Sequence, residues 1–157
     1  MKGTQTKMEL RTRNFGIVEI QEDAIYKFPV GLYGFEECKE FAVFQHDYDD
    51  DLSLLYLQNT ADIFPSFLVF EPWDMFEGYA PKMLPEDLKA CKVKSEDDLI
   101  FLSIATLPAS IEDLSLNIKS PVVLNPKTRE ARQVILTNPD YEVRYYPFQT
   151  SGRKDGK

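Results

Sequence analysis

The sequence contains few of the residues from which catalytic and metal sites are usually built. His46 is its one histidine, and Cys38 and Cys91 are its only cysteines. The two cysteines stand 53 positions apart and outside any CxxC pattern, which argues against a zinc or redox site. Their spacing favours free, buried thiols in a reducing compartment, although a disulfide between them stays open. The seven glycines form neither GxGxxG nor GxxxxGKS/T, the loops that bind nucleotide phosphates.

Long apolar runs are also absent. The segment from Met1 to Leu10 contains no stretch that resembles a signal peptide, and no run approaches the roughly 18 apolar residues of a membrane span. We therefore expect a cytoplasmic protein with no membrane contact. Its 157 residues suit one domain. The expected organisation is a flexible N-terminus over residues 1–7, a single domain over 8–148, and a disordered tail over 149–157.

The candidates for chemistry are weak. His46 precedes the acidic run Asp47–Asp51, where a solvated surface residue is the better interpretation than a catalytic one. That run fails as a calcium loop, because its sixth position from Asp47 is Leu52 instead of Gly and its twelfth is Gln58 instead of Glu. We interpret it as a solvated acidic loop. The sequence thus predicts a binding protein that is not an enzyme, with no catalytic residue, metal or cofactor.

Charge is unevenly distributed along the chain. Residues 1–18 have a balance of +3, residues 19–118 hold 21 acidic and six basic residues, a balance of −15, and the remainder has a balance of +4. An acidic body repels phosphate backbones, so we expect no direct nucleic-acid binding. The same field favours encounter with a basic protein partner, although acidity can also serve solubility alone.

The hydrophobic pattern has mostly a period of two, which is typical of strands. We predict a mainly β fold: a small, closed, antiparallel β-barrel-like domain with one or two short helices. The helix is predicted at Pro85–Cys91, with Leu88 and Cys91 on one face, and Ser95 can cap a second turn. The predicted strands are Met8–Arg13, Ile17–Gln21, Ala24–Phe28, Phe41–Gln45, Leu54–Gln58, Phe67–Phe70, Ile100–Ala105, Leu114–Lys119, Val122–Leu124, Ala131–Leu136 and Tyr141–Tyr145.

Several blocks of sequence resemble one family. The segment from Phe28 to Phe35 fits the pattern F-x-x-G-L/I-x-G-F, and Asn117 to Asn125 fits N-L/I-x-x-P-I/V-I/V-I/L-N. A later Q-A/V-I-L pattern fits Gln133 to Leu136, and an apolar strand ends in proline at Phe67–Pro72. In this order and spacing the blocks resemble the flagellar assembly factor FliW family. Val30 departs from it at a position where many members have proline or a small residue, and Tyr33 at one where proline is frequent.

The resemblance implies a partner-switching regulator. Members of the family bind newly made flagellin in the cytoplasm and also bind CsrA, a small RNA-binding regulator, whose repression of flagellin translation they relieve. A carbohydrate- or peptide-binding β-module and a hydrolase whose carboxylates are assembled by the fold remain alternatives.

Two sets of residues are candidates for these contacts. The acidic set, expected to face a basic CsrA-type partner, consists of Glu96, Asp97 and Asp98, followed by Asp47, Asp49, Asp50 and Asp51. The positions that match the family pattern equally fit turns and core packing, and the sequence does not reveal which of them form a flagellin-binding groove. These positions are Phe28, Gly31, Leu32, Gly34, Phe35, Phe67, Pro72, Asn117, Pro121, Asn125 and Gln133.

Overall fold

A computed structural model describes residues 6–149. Within them lie ten strands, one short α-helix, and four single-turn 3-10 helices. The strands are β1 (Lys7–Arg11), β2 (Ile17–Gln21), β3 (Ile25–Lys27), β4 (Glu40–Asp49), β5 (Leu52–Asn59), β6 (Ser66–Phe70), β7 (Ile100–Thr106), β8 (Ser115–Leu116), β9 (Val122–Asn125) and β10 (Glu130–Gln133). The helix, α1, spans Pro85–Ala90.

Seven of these strands close into a ring. Their order is β6-β5-β4-β3-β10-β9-β7, and β6 pairs with β7 to complete the circuit. All neighbours are antiparallel except β3 and β10, which meet in parallel at the single pair Lys27 and Glu130. Strand β8 pairs with the end of β7 outside the ring, and β1 and β2 form a separate hairpin. The prediction of a mainly β, barrel-like domain with short helices is confirmed.

Alternation along the strands distributes the apolar side chains between three clusters. The interior cluster takes residues from every strand of the ring, including Phe41, Leu57 and Leu124, each at most 1% exposed. Neighbours on the same strands point outward and are covered as well. Ala42 and Phe44 of β4 pack beneath the β1–β2 hairpin, and Phe101 of β7 packs beneath the segment that contains α1. Both faces of these strands are therefore buried.

Helix α1 lies where the sequence predicts it. Pro85 occupies its first turn, where its missing N–H costs no hydrogen bond. Leu88 and Cys91 both pack on the cluster that contains Phe101, as their shared face predicts. Ser95 caps the following 3-10 turn, and its hydroxyl accepts a hydrogen bond from the Asp97 amide at 3.0 Å.

Three expectations about the strands are wrong. The acidic run is not a loop, because β4 continues to Asp49 and β5 begins at Leu52. The Leu114–Lys119 strand is reduced to Ser115–Leu116, because the Asn117 side-chain oxygen accepts a hydrogen bond from the Ser120 amide and turns the chain. Tyr141–Tyr145 forms only an isolated bridge between Leu116 and Tyr145.

The expected flexible ends fall mostly on residues 1–5 and 150–157, which lie outside the described residues. At the described edges, Lys7 begins β1, and the Gln149 side chain donates hydrogen bonds to the Glu112 carbonyl and the Asp113 carboxylate. No helix among residues 6–149 is long and apolar enough to span a membrane.

Candidate functional site

Two residues of the predicted acidic set, Glu96 and Asp97, line a cleft of about 580 Å³, and Asp98 follows them in the same turn. We call this cavity the Trp73 cleft. Aromatic side chains form its wall, and Glu96 and Asp97 stand beside them. Its lining consists of Trp73, Tyr79, Ala80, Pro81, Lys82, Ser95, Glu96, Asp97, Leu99 and Phe101.

Trp73 is the largest exposed feature of this cleft. It follows Pro72, which begins the 3-10 turn Pro72–Asp74, and half of its surface is exposed. Tyr79 and Phe101 meet the indole edge-on, with ring centroids 5.2 and 5.7 Å away. These contacts hold the indole in place although it is open to solvent.

Tyr79 anchors the cleft wall to the barrel. Its hydroxyl donates a hydrogen bond of 2.9 Å to the Ile118 carbonyl, and its ring stacks on Tyr141 at 4.9 Å. Burial, and to a smaller extent Tyr141, raise the pKa of the Tyr79 hydroxyl above its usual range. The hydroxyl therefore stays protonated and keeps this hydrogen bond at physiological pH.

The electrostatic balance of the cleft is negative. Its lining contains two carboxylates, Glu96 and Asp97, and one base, Lys82. The segments 71–84 and 94–99, which contain most of the lining, together carry six carboxylates and two bases, Lys82 and Lys94. The Glu96 carboxylate accepts a hydrogen bond from the Met83 amide at 2.9 Å, whereas Asp97 and Asp98 are exposed. None of the ion pairs between described residues involves these three side chains. The rim therefore presents unneutralised negative charge.

The second acidic set lies at the tip of the β4–β5 hairpin, which we call the acidic hairpin (residues 46–52). The Asp47 carboxylate accepts hydrogen bonds from the Ser53 hydroxyl at 2.6 Å and from the Gln45 side-chain nitrogen at 3.1 Å. These two bonds, the first more than the second, hold the pKa of the Asp47 carboxyl below its usual range. The Asp49 carboxylate accepts from the Asp51 amide at 2.8 Å and closes the turn.

His46 is not simply solvated, as the sequence suggested. Its ring stacks on Phe15 with centroids 3.9 Å apart, and Tyr48 meets it edge-on at 4.7 Å. The alternate positions His46 and Tyr48 thus share one face of β4, against the turn of the β1–β2 hairpin. No group of three or more His, Cys, Asp or Glu side chains within residues 6–149 is placed to hold a metal ion.

Positions of the family pattern come together around a second cavity, of about 400 Å³, at one end of the barrel. We call it the motif groove. Five of the predicted positions line it although they come from four separate parts of the sequence. The complete lining is Leu32, Tyr33, Phe35, Phe67, Ile104, Asn117, Ser120, Gln133 and Val143.

Gln133 joins these parts. Its side-chain oxygen accepts a hydrogen bond from the Tyr33 amide at 3.2 Å, and its side-chain nitrogen donates to the Ser120 carbonyl at 2.9 Å. Asn117 accepts from the Ser120 amide on the same rim. Tyr33 and Val143 are each 56% exposed, so the groove has apolar edges and a polar, hydrogen-bonded wall.

The other family-pattern positions have structural surroundings. Phe28 is fully buried in the barrel, and Gly31 and Gly34 adopt positive φ angles of 69° and 87°. Pro72 begins the turn that precedes Trp73, and the Pro121 carbonyl accepts from the Val134 amide. The Asn125 side chain is buried and donates to the Cys91 carbonyl at 2.8 Å.

Sequence reasoning missed Trp73 and Tyr79 in the cleft, and Tyr33 and Val143 in the groove. The single tryptophan, placed directly before Asp74 and two residues after Glu71, was the available signal, because a large apolar residue among carboxylates is unusual in a core. Both cysteines are free, and burial raises the pKa of each thiol.

Comparisons with known proteins agree with one another. The family model described as FliW protein matches residues 9–147. The flagellar assembly factor FliW of Natranaerobius thermophilus is 30% identical over 94% of this chain and 97% of its own length. The flagellar assembly factor FliW of Symbiobacterium thermophilum is 34% identical over 83% of this chain and 94% of its own length. A crystal structure of the flagellar assembly factor FliW superposes with a TM-score of 0.79 at 29% identity, covering 90% of this chain and 98% of that chain.

Proposed function

The chain belongs to the FliW family of flagellar assembly factors, and from this membership we propose that it binds two proteins in the cytoplasm. One is newly made flagellin, and the other is a CsrA-type translational regulator whose repression of flagellin translation it relieves. Because one limited protein serves both partners, the free concentration of flagellin sets how much regulator is bound, by mass action. Nothing in this scheme needs catalysis, and family membership favours it over a carbohydrate- or peptide-binding module or a hydrolase.

The observation that carries the proposal is the composition of the motif groove. Residues that match the family pattern from Leu32 to Gln133 gather on one cavity, and its edges are the exposed side chains Tyr33 and Val143. An apolar groove with hydrogen-bonding groups in its wall suits an amphipathic helix of a partner. We assign the flagellin contact to this groove.

The test is a binding measurement between purified flagellin and the variant Val143→Glu. A charge placed at the apolar edge loses solvation when flagellin docks, and we expect the affinity to fall at least about tenfold, or about 1.4 kcal/mol. The matched control is Ile17→Glu on the β1–β2 hairpin, where the side chain is 62% exposed and does not line the groove. Equal binding by wild type and Val143→Glu would contradict the assignment.

The contact with the regulator is assigned to the rim of the Trp73 cleft. Asp97 and Asp98 are exposed and lie in the 3-10 turn Glu96–Asp98 that Ser95 caps, so little ordering is needed on binding. The acidic hairpin is the second candidate, and its hydrogen-bonded turn makes it better ordered than a loop. A basic, RNA-binding partner is attracted by either surface.

A further inference from the structure

We propose that the Trp73 cleft is a receptor for an arginine side chain of a basic protein partner. This inference rests on the proposed function and refines it, because it identifies the chemical group that the acidic surface recognises. The cleft combines a half-exposed indole, held by two ring contacts, with the carboxylates Glu96 and Asp97 in the same lining.

The aromatic part fits a flat cation. Trp73 is half exposed, and its edge-on contacts with Tyr79 and Phe101 leave few ways for the indole to rotate. Tryptophan is the aromatic side chain that attracts cations most strongly. A guanidinium group can stack on an indole through its own plane, which an ammonium group cannot do.

The carboxylates add charge and direction. Glu96 is held by the Met83 amide through one oxygen, so the carboxylate has a defined orientation, and Asp97 stands next to it. Lys82 lies on the same cleft and opposes cation binding, but the lining sets two carboxylates, Glu96 and Asp97, against it. A planar guanidinium can bond a carboxylate through two N–H groups, whereas lysine offers a point charge. The cleft therefore favours arginine over lysine.

The volume agrees with a side chain that arrives on a polypeptide. About 580 Å³ is more than one guanidinium group fills, and it lies within the range of cavities that receive ligands. The backbone of Lys82 is not free to pair with a partner strand, because its carbonyl accepts a hydrogen bond from the Thr137 amide and its amide donates one to the Asn138 side-chain oxygen. We therefore place the partner's arginine over Trp73 and its backbone across the open side of the cleft.

The chain provides its own probe, because Trp73 is its single tryptophan. The indole N–H signal in a nuclear magnetic resonance spectrum reports on this cleft alone. We would titrate the full chain with acetyl-Gly-Gly-Arg-Gly-Gly-amide and with peptides that carry Lys or Gln in place of Arg. The expected result is a saturable shift of the indole signal with the Arg peptide, a weaker shift with Lys, and none with Gln. Absence of a saturable shift with Arg would overturn the proposal.

Charge-matched variants separate the cleft from the general acidic field. Glu96→Gln with Asp97→Asn removes two charges at the cleft and keeps an oxygen for the Met83 amide, and Asp50→Asn with Asp51→Asn removes two charges at the acidic hairpin. Cation–π contacts and charge-assisted bonds of this kind change affinity by about 2- to 30-fold. We expect a loss in that range for the first variant and less than about twofold for the second. Equal losses in both would mean that only net charge matters, and would also overturn the proposal.

A final measurement distinguishes this inference from the proposed function. The whole CsrA-type regulator is tested against Trp73→Ala, with thermal unfolding checked in parallel. Weaker regulator binding by a folded Trp73→Ala variant supports the receptor. If regulator and flagellin bind this variant as they bind wild type, the receptor is wrong and the proposed function stands. If the regulator fails to bind wild type, the proposed function itself fails.

Discussion

At the scale of single residues, Gly31 shows how a position of the family pattern can be determined by backbone space. Its φ angle is +69°, and a Cβ atom at this position would lie 2.6 Å from backbone atoms of Glu36. Gly34, three residues later, has a φ of +87° but nothing within 4 Å of an added Cβ. At Gly31 a larger residue would meet both a backbone clash and an unfavourable positive φ angle, whereas at Gly34 it would meet only the unfavourable φ angle.

The two glycines make a matched pair of variants. We expect Gly34→Ala to lower the free energy of unfolding by about 1–2 kcal/mol, the cost of a left-handed conformation for a residue with a Cβ. Gly31→Ala adds a clash with backbone that cannot rotate away, and we expect a loss of about 3 kcal/mol or more. Urea unfolding followed by circular dichroism measures both. Similar losses for the two variants would show that the loop moves to accept the extra atom.

Single residues also show where sequence reasoning reaches its limit. Ser95 and Asn125 could be placed at a cap and a turn because their partners lie within a few positions, as the hydrogen bonds to Asp97 and Lys127 confirm. The bond from the Tyr33 amide to Gln133 joins residues 100 positions apart. No local pattern contains that information, so the motif groove could be seen only in the folded chain.

At the scale of elements, the β4–β5 hairpin is the clearest difference between expectation and structure. The run His46–Asp51 looked like a loop because strands contain few aspartates. Alternation continues through it nevertheless: His46 and Tyr48 pack on Phe15, and Asp47 projects to the other side. Aromatic contacts from a separate hairpin outweigh the poor strand propensity of aspartate, and such contacts cannot be read from the run itself.

A second element-scale outcome explains why strand positions were predicted better than strand ends. Leu114, Leu116 and Ile118 are all buried, as their spacing predicts, yet only Ser115–Leu116 forms a ladder. The burial of a side chain follows from the hydrophobic pattern. Pairing in a β-sheet also needs an extended neighbouring strand, which that pattern does not reveal. The turn at Asn117 and the backbone bonds to Glu142 and Tyr145 replace that ladder.

The acidic hairpin leads to a prediction about pH. The Ser53 and Gln45 hydrogen bonds lower the pKa of Asp47 below its usual value of 3.8. A carboxyl whose pKa is lowered by folding stabilises the folded hairpin above that usual value, and the contribution is lost as pH falls through the folded pKa, below about pH 4. In Ser53→Ala we expect the Asp47 pKa to rise toward 3.8, and in Gln45→Ala to rise less. Titration of the Asp47 carboxyl carbon by nuclear magnetic resonance measures this. An unchanged pKa in Ser53→Ala would contradict the assigned cause.

At the scale of the whole molecule, the two proposed contacts differ in physical character and use different faces of one strand. Phe101 lines the Trp73 cleft and Ile104 lines the motif groove, and both belong to β7. Residues three apart on a strand point to opposite faces, and Phe101 packs in the outer cluster while Ile104 packs against the interior one. The cleft and the groove share no lining residue, so each surface can be altered without touching the other.

Reversing charge at the cleft rim should therefore affect one partner and spare the other. In Asp97→Lys with Asp98→Lys, attraction for a basic regulator becomes repulsion, so we expect slower association and weaker binding at low salt. The loss should shrink as salt rises, because exposed charges are screened within about 8 Å at physiological ionic strength. The variant should bind flagellin through the apolar groove with the affinity of the wild type. In the wild type and in the variant, this affinity should depend only weakly on salt. Kinetic binding measurements at two salt concentrations test all of these, and Asp50→Lys with Asp51→Lys at the acidic hairpin is the comparison that shows which of the two candidate surfaces the regulator uses. If the cleft variant binds the regulator as wild type does at low salt, the regulator contact lies elsewhere.

The salt series also tests the flagellin contact. If the affinity for flagellin collapses between low and moderate salt, charge pairing dominates that contact and the groove is misassigned.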